Sequence, residues 1–528
     1  MGLFPLRCKT GAPAAEPDRE AAQCHRDCRV TPMIHTHSLG RAARYYGART
    51  ALASNGTRST FRELHDRVAA TAMLLRGAGF EAGDRLALLL PNEPEYIELV
   101  YACAWLGIIA VPLNTRLSVA EIDHVLADAS PRGLIRHSSM PVPTAELSWQ
   151  RVLDKEPFET RNDAAPESVY DPQAVLALIY TSGTTGRPKG AVLTHKQLLA
   201  NIHDINYWTP HEEGSVYLHA APMFHIADFP MIFAAPALGS CQVAISKFSP
   251  KSFCEAVERE DVRQTTLVPT MINLLTQFPD LHKYDLSSLE DLWYGGSPMA
   301  AALIRRTREV LPAVRLVQVY GLSETGFLTG LRDDEHTENR LMSCGRTCPG
   351  VDLRVVNESG KEVDTGVHGE LVARGANVMP GYWNHSDEGT EVFRDGMFRT
   401  GDIGYRDADG YFYVLDRLKD MIVSGGENVY SGEVEAIIYA HPAVQEAAVF
   451  GIPDPLWGEL VTAVIVLKPG QELKADELIA HCRRFLANYK IPRRIEFSET
   501  ELPKSGSGKI LKRILREHYW VSQERAVA

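Results

Sequence analysis

Apolar residues recur along the chain in two alternating rhythms. Phe61, Leu64, Val68 and Leu75 fall on one helical face. Thr60 with Glu63 reads as a capping box at the start of that helix, and Gly79 as its stop. Arg85 to Leu90 then reads as a strand ending at Pro91-Asn92, and Val175 to Tyr180 as a short, uncharged, buried strand. The alternation continues to about residue 330 and predicts layered α/β architecture. From Val351 to Tyr413, short strands broken by Gly, Asp and Asn turns predict a smaller β-rich subdomain. Beyond Lys419 the pattern restarts. Helices are expected over Gly432 to Tyr439 and Ala475 to Leu486, with strands over Ala447 to Gly451 and Leu460 to Leu467. The expected division is a disordered tail over 1–32, a large α/β domain over 33–418 that includes the β-rich part, and a small mobile α+β domain over 419–528.

Composition narrows the class. A chain of 528 residues exceeds one ordinary core. A formal charge of −12 argues against nucleic acid as a partner, which would call for a basic face. The long uncharged runs Leu99 to Leu113 and Phe229 to Ser246 are broken by Gly107 and Pro112, and by Pro230, Pro236 and Gly239. They read as buried core, so no transmembrane segment is expected, while peripheral membrane contact stays open. The first 32 residues hold Cys8, Cys24 and Cys28 without apolar periodicity, and lack the apolar stretch a signal peptide needs. Met33 opens the ordered pattern. The other six cysteines are dispersed, which suits reduced thiols in a cytoplasm.

The stretch from Ala177 to His195, ALIYTSGTTGRPKGAVLTH, carries the first chemical signal. Thr181, Ser182, Thr184 and Thr185 supply hydroxyls, and Gly183 and Gly186 can turn backbone N–H groups inward without a Cβ in the way. With one ammonium at Lys189, such a loop suits a polyanion, most simply a phosphate chain. It is not a Walker loop, because Pro188 precedes the lysine and Gly190 follows it.

Five further stretches follow in order. They are Tyr294-Gly295-Gly296-Ser297-Pro298, Tyr320-Gly321-Leu322-Ser323-Glu324, Arg399-Thr400-Gly401-Asp402, Asp416-Arg417-Leu418-Lys419-Asp420, and Pro503-Lys504-Ser505-Gly506-Ser507-Gly508-Lys509. Together with the threonine-rich loop, they resemble the adenylate-forming superfamily of acyl-CoA synthetases, luciferases and peptide-synthetase adenylation domains. The resemblance runs from Met33 to about Tyr519. It implies that a carboxylic acid attacks the α-phosphate of ATP, giving an acyl-adenylate and pyrophosphate, and that the thiol of CoA then displaces AMP.

The same resemblance implies residue roles. Thr181, Ser182, Gly183, Thr184, Thr185, Gly186 and Lys189 would cradle the β- and γ-phosphates. Glu324, with Thr184, would hold Mg²⁺, and Ser323 would hydrogen-bond the α-phosphate. Tyr320 and Gly321 would lie on one side of adenine and Gly295, Gly296 and Ser297 on the other, with Asp402 and Arg417 at the ribose. Lys509 would bridge carboxylate and α-phosphate. Lys419 would be the pivot about which the small domain rotates, replacing Lys509 at the site by the turn carrying Gly425 and Gly426 and opening a pantetheine tunnel.

The acid is less legible. Ala221-Pro222-Met223-Phe224-His225 matches the family stretch that lines the acyl channel, where His225 is either a gate near the carboxylate or a core histidine. Val319 stands where many fatty-acyl members have glycine and is expected to narrow the channel. Asp228, where an apolar or small residue is common, either faces a polar group on the substrate or caps a helix. The spacing most resembles medium- to long-chain fatty-acyl-CoA synthetases. Aryl-acid-CoA ligases and acyl-AMP ligases that load a carrier protein are the alternatives, and the oligomeric state stays open, a homodimer included.

Overall fold

The computed structural model describes residues 35–54, 56–155, 171–181, 188–208, 212–385, 392–506 and 508–520. Residues 1–32 and Met33 lie outside them, as do Ser182 to Arg187 and Ser507. The architecture is α/β, with a large N-terminal domain and a smaller C-terminal one.

Two sheets layered with helices build most of the large domain. One has nine strands, in the order Arg346–Thr347, Gly326–Leu331, Arg315–Leu322, Asp291–Gly295, Gln264–Leu267, Val216–His219, Cys241–Ala244, Thr50–Ser54 and Thr57–Thr60. From Arg315–Leu322 to Thr50–Ser54, neighbours pair in parallel. The other has six strands and includes Arg85–Leu89 and the antiparallel pair Val175–Thr181 and Lys189–Thr194. The expected capping box is present: Thr60 Oγ1 accepts from the Glu63 N–H at 3.2 Å and Glu63 Oε2 accepts from the Thr60 N–H at 2.7 Å. The helix it starts runs Phe61–Gly77, and Gly79 follows at φ +84°. Both long apolar runs are core: one becomes the buried helix Pro94–Leu106 and the strand Ile109–Pro112, the other the helix Met231–Ala237 and the strand Cys241–Ala244.

The order of the nine strands positions the site. Cys241–Ala244 joins one side of Val216–His219, and the chain then returns to place Gln264–Leu267 on its other side. The connections leaving these strands therefore diverge at their carboxyl ends. In parallel sheets, that is where a crevice forms and ligands bind.

The β-rich subdomain is a five-stranded antiparallel sheet that includes Val351–Val356, Gly369–Gly375, Met397–Arg406 and Phe412–Arg417. In the small domain, the long strands Val444–Asp454 and Gly458–Leu467 are buried on both faces. Ala447, Val449, Ala463 and Ile465 pack on the helices Ser431–Tyr439 and Ala475–Cys482, while Ala448, Phe450, Val464 and Val466 face Leu502 and the C-terminal segment. The second helix is shorter than expected. After Cys482, the N–H groups of Arg484 and Phe485 bond three residues back, so Arg483 to Leu486 closes in tight turns. No helix among the described residues is long and apolar enough to cross a membrane.

Candidate active site

Motifs far apart in the sequence meet at the carboxyl ends of the parallel strands. Tyr294-Gly295 ends one strand and Tyr320-Gly321 lies within the next, paired Gly295 to Val319. A Cβ on Gly295 would stand 2.3 Å from the Val319 carbonyl oxygen, and one on Gly321 would overlap the carbonyl of Gly326. Only glycine fits at either position. Gly296 follows at φ +78°, and Ser297 continues the turn.

The Lys509 loop seats here from the small domain. Ser505 shapes it: its Oγ accepts from the Lys509 N–H at 3.1 Å, and its carbonyl accepts from the Gly508 N–H at 2.9 Å. Gly508, at φ +84°, lies against Val268 and Thr270, and Gly506 against Asn114; a Cβ would clash with Thr270 and with Asn114. Lys509 Cε is 4.0 Å from the position a Cβ would take on Gly296. Burial pushes the Lys509 ammonium down to about 8, and the Arg417 guanidinium and Lys419 add to that, while Asp402 and Glu324 oppose it. The loop lysine has therefore left solvent for a site shared with both carboxylates.

Asp402 and Arg417 are cross-strand partners on Met397–Arg406 and Phe412–Arg417, and this register brings Arg417 Nε to 2.7 Å from Asp402 Oδ1. The Tyr320 hydroxyl donates to Asp402 Oδ2 at 2.6 Å. The Thr400 hydroxyl oxygen fixes the turn before Asp402 by accepting its N–H at 3.0 Å. Glu324 sits in the turn after Tyr320, where Thr325 Oγ1 accepts from the Leu322 N–H, and Ser323 occupies the same turn, half-buried. Tyr382 donates to Glu324 Oε1 at 2.8 Å, and Lys189 Nζ stands 5.7 Å from the Tyr382 ring centroid. Lys189 is buried at the start of its strand, opposite Thr181 across the hairpin.

Tyr382, Asn114 and Thr270 were not singled out from the sequence, and Thr400 appeared there only as part of its motif. The Pro380-Gly381-Tyr382-Trp383 stretch, an aromatic pair behind a turn, was the one available signal. Asn92 was missed as well. Its side chain donates to the carbonyls of His219 and Ala221, and its Oδ1 accepts from the Met223 N–H, so a residue of one subdomain holds the loop that carries His225.

His225 Nδ1 accepts from the Ala227 N–H at 3.2 Å, which puts the proton of the neutral ring on Nε2. Burial, then the Lys509 charge, lowers its pKa to about 3, so the ring is neutral at ordinary pH. Asp228 caps no helix: Met231–Ala237 has Pro230 at its N-cap and no side-chain cap bond. The Asp228 carboxylate is buried against Tyr217 and His219 instead. Gly425 and Gly426 form a left-handed turn in the small-domain sheet, where the Gly425 N–H donates to the Trp457 carbonyl at 2.7 Å. Their described contacts are with Trp457, and the Lys509 loop is the small-domain segment at the site in this arrangement. Ser182, Gly183, Thr184, Thr185 and Gly186 lie outside the described residues.

A buried lysine, two carboxylates, an arginine and glycine-lined strand ends thus converge at one place. Residues 39–383 match the family described as AMP-binding enzyme, and residues 433–509 match the AMP-binding enzyme C-terminal domain. The chain belongs to this family, the adenylate-forming acyl-CoA synthetases, and uses ATP. It is 41% identical to a feruloyl-CoA synthase of Amycolatopsis sp, over 91% of this chain and 98% of that one. It is 34% identical to a long-chain-fatty-acid–CoA ligase of Mycobacterium tuberculosis, over 88% and 94%. Its fold is similar to that of o-succinylbenzoate CoA synthetase from Bacillus subtilis in complex with its acyl-adenylate intermediate, with a TM-score of 0.81 and 32% identity over 90% and 97% of the two chains.

Proposed function

We propose that the protein is an AMP-forming acid–CoA ligase acting on an aryl acid, through an acyl-adenylate and then a thioester. The carrying observation for the chemistry is Lys509, buried at the strand ends beside Asp402, Arg417 and Glu324. For the acid, the higher identity to a feruloyl-CoA synthase than to a fatty-acid ligase favours the aryl class over the fatty-acyl one suggested by motif spacing.

In this reading Asp402 accepts from the ribose hydroxyls, aligned by Arg417 and Tyr320. Lys189, Thr181 and the loop between them hold the β- and γ-phosphates, Ser323 meets the α-phosphate, and Tyr320 faces adenine opposite the Gly295–Gly296 backbone. The neutral His225 offers its Nε2–H to the acid carboxylate. Lys509 offsets charge as the two anions meet. Glu324 suits Mg²⁺: it is a largely buried carboxylate with one oxygen taken by Tyr382, and Mg²⁺ is usually held by one or two carboxylates together with phosphate oxygens and water. The ion would neutralise phosphate charge. We place the reaction in the cytoplasm, where the six free, mostly buried thiols among the described residues stay reduced.

The test is pyrophosphate release and thioester formation across aryl, fatty and dicarboxylic acids, with and without CoA. Aryl acids should turn over fastest, with CoA required and AMP as product. ADP with inorganic phosphate, or transfer only to a carrier protein, would overturn the assignment.

Val319 gives a narrower expectation. It is buried with Tyr217, Trp293 and Phe327, on the face of the sheet that carries Gly295. Val319→Gly should widen the channel and move preference toward bulkier or longer acids, by about fourfold per added methylene at ~0.8 kcal/mol each. The KM for ATP should hardly move. An unchanged acid profile would show that Val319 does not line the channel.

A further inference from the structure

Tyr382 joins two charged groups that lie far apart in the chain. Its hydroxyl donates to Glu324 Oε1 at 2.8 Å, and its ring centroid lies 5.7 Å from Lys189 Nζ, within reach of a cation–π contact. Glu324 and Lys189 are each 9% exposed, and they belong to different layers. Glu324 sits in the turn joining Arg315–Leu322 to Gly326–Leu331 of the nine-stranded sheet. Lys189 opens the last strand of the six-stranded sheet. Tyr382 itself follows the strand Gly369–Gly375 of the β-rich subdomain. Three parts of the large domain therefore touch at one side chain.

The chain on either side of Tyr382 is tied to both layers. Toward Glu324, the buried Asn377 donates through Nδ2 to the carbonyls of Thr325 at 2.9 Å and Phe327 at 2.8 Å. The N–H of Met379, also buried, donates to the Glu324 carbonyl at 2.7 Å. Toward Lys189, the Val192 N–H donates to the Gly381 carbonyl at 3.2 Å, and the Trp383 N–H to the Gly190 carbonyl at 2.8 Å. Ala191 and Tyr382 pair between them as an antiparallel bridge. Lys189–Thr194 ends its sheet, and residues 381–383 cover that edge. Trp383 adds a side-chain anchor against the core around Leu89, Leu178 and Val192.

Residues 377–383 thus form a strap pinned at both ends. It fixes the Glu324 turn relative to the hairpin that carries Thr181 and Lys189. Such registration matters for a divalent ion. A carboxylate on a turn can rotate about its side-chain bonds, whereas Mg²⁺ demands near-octahedral placement of its oxygens. A donor on one carboxylate oxygen restricts that rotation, as the partners behind metal ligands do generally.

We propose that Tyr382 is a positioning residue for the binding of ATP with Mg²⁺. Its hydroxyl orients the Glu324 carboxylate for the ion, its ring seats the Lys189 ammonium for phosphate, and the strap holds the two in register. Metal and triphosphate binding are then coupled through a residue that acts by way of its neighbours. The inference rests on the reading of Glu324 as the Mg²⁺ ligand and adds what aims it.

The test is calorimetry of ATP binding without any acid, in saturating Mg²⁺ and in EDTA, so that no turnover intervenes. The ratio of the two affinities reports what the metal contributes. Glu324→Gln sets the reference for its loss. Tyr382→Phe keeps the ring and removes the hydroxyl, so it should lower the ratio most of the way to that reference, by about tenfold. Its affinity in EDTA should hardly move, which also shows that the site is intact. Tyr382→Leu removes the ring as well and should weaken binding in EDTA by about two- to fivefold. In the double variant Tyr382→Phe with Glu324→Gln the losses should not add, because both act through one carboxylate. A hydroxyl that only supports the fold would lower the thermal midpoint and leave the ratio at its wild-type value. That ratio in Tyr382→Phe, or additive losses in the double variant, overturns the inference and leaves Glu324 as the metal ligand. An EDTA affinity unaltered in Tyr382→Leu overturns the part assigned to the ring. A wild-type ratio in Glu324→Gln would remove the metal reading itself.

Discussion

Lys509→Ala is expected to lose acyl-adenylate formation by about 10²–10³, the ~2.7–4 kcal/mol typical of removing one preorganised electrostatic donor. The loss should be confined to the first half-reaction. Given preformed acyl-adenylate and CoA, the variant should make thioester at close to the wild-type rate, because on the proposed alternation the small domain has by then carried the lysine away. Single-turnover measurements of each half decide the matter. Equal loss in both halves, in properly folded protein, would mean that the lysine supports the site generally. A second signature follows from the environment of the lysine. Its ammonium is pushed down to about 8, so the charge is present below that pH and is lost as pH rises through it. The kcat/KM of adenylation should therefore fall on the alkaline side from about pH 8. Lys509→Arg, with a guanidinium that stays charged, should remove that limb even where its rate is lower.

Lys419→Pro should divide the reaction the other way. Adenylation should survive, while thioester formation falls on the order of 10²-fold, the scale of a misplaced reacting group. Proline fixes its own φ and drives the residue before it, Leu418, toward extended backbone, which removes rotation at the pivot. A contact across Lys419 is what such a rotation would have to exchange. Asp416, before the pivot, accepts from the N–H of Ser431 at 2.5 Å and from its hydroxyl at 2.7 Å, beyond it. Lys512 with Glu435, at 2.8 Å, and Arg516 with Asp420, at 3.1 Å, pair within the small domain and would travel with it. Leu418 itself is tied by its N–H to the Gly401 carbonyl at 2.8 Å. Loss of adenylation with thioester formation intact would place the hinge elsewhere.

The sequence by itself determined what depends on neighbours along the chain. The capping box at Thr60, the strand leading into the threonine-rich loop and the buried strands of the small domain follow from local periodicity and turn chemistry, and all appear in the fold. The order and spacing of six motifs was enough to identify the adenylate-forming family. The sequence was less informative where partners are distant. Local periodicity ran the second small-domain helix on to Leu486, but the chain turns after Cys482. Tyr382 against Glu324, Thr270 under Gly508 and Asn92 under the His225 loop join residues tens to hundreds of positions apart, and no local pattern marks them.

Asp228 shows the limit most clearly. Its position three residues after His225 left a helix cap and a substrate contact equally open, because both begin with a polar residue near a turn. Only the strand register, which sets Tyr217 and His219 on one face of the sheet within hydrogen-bonding distance of Asp228, decided that the carboxylate is buried and what it pairs with. Charge and hydrogen bonding act through space, so the protonation of Lys509 and the environment of Asp228 were fixed by the tertiary structure alone.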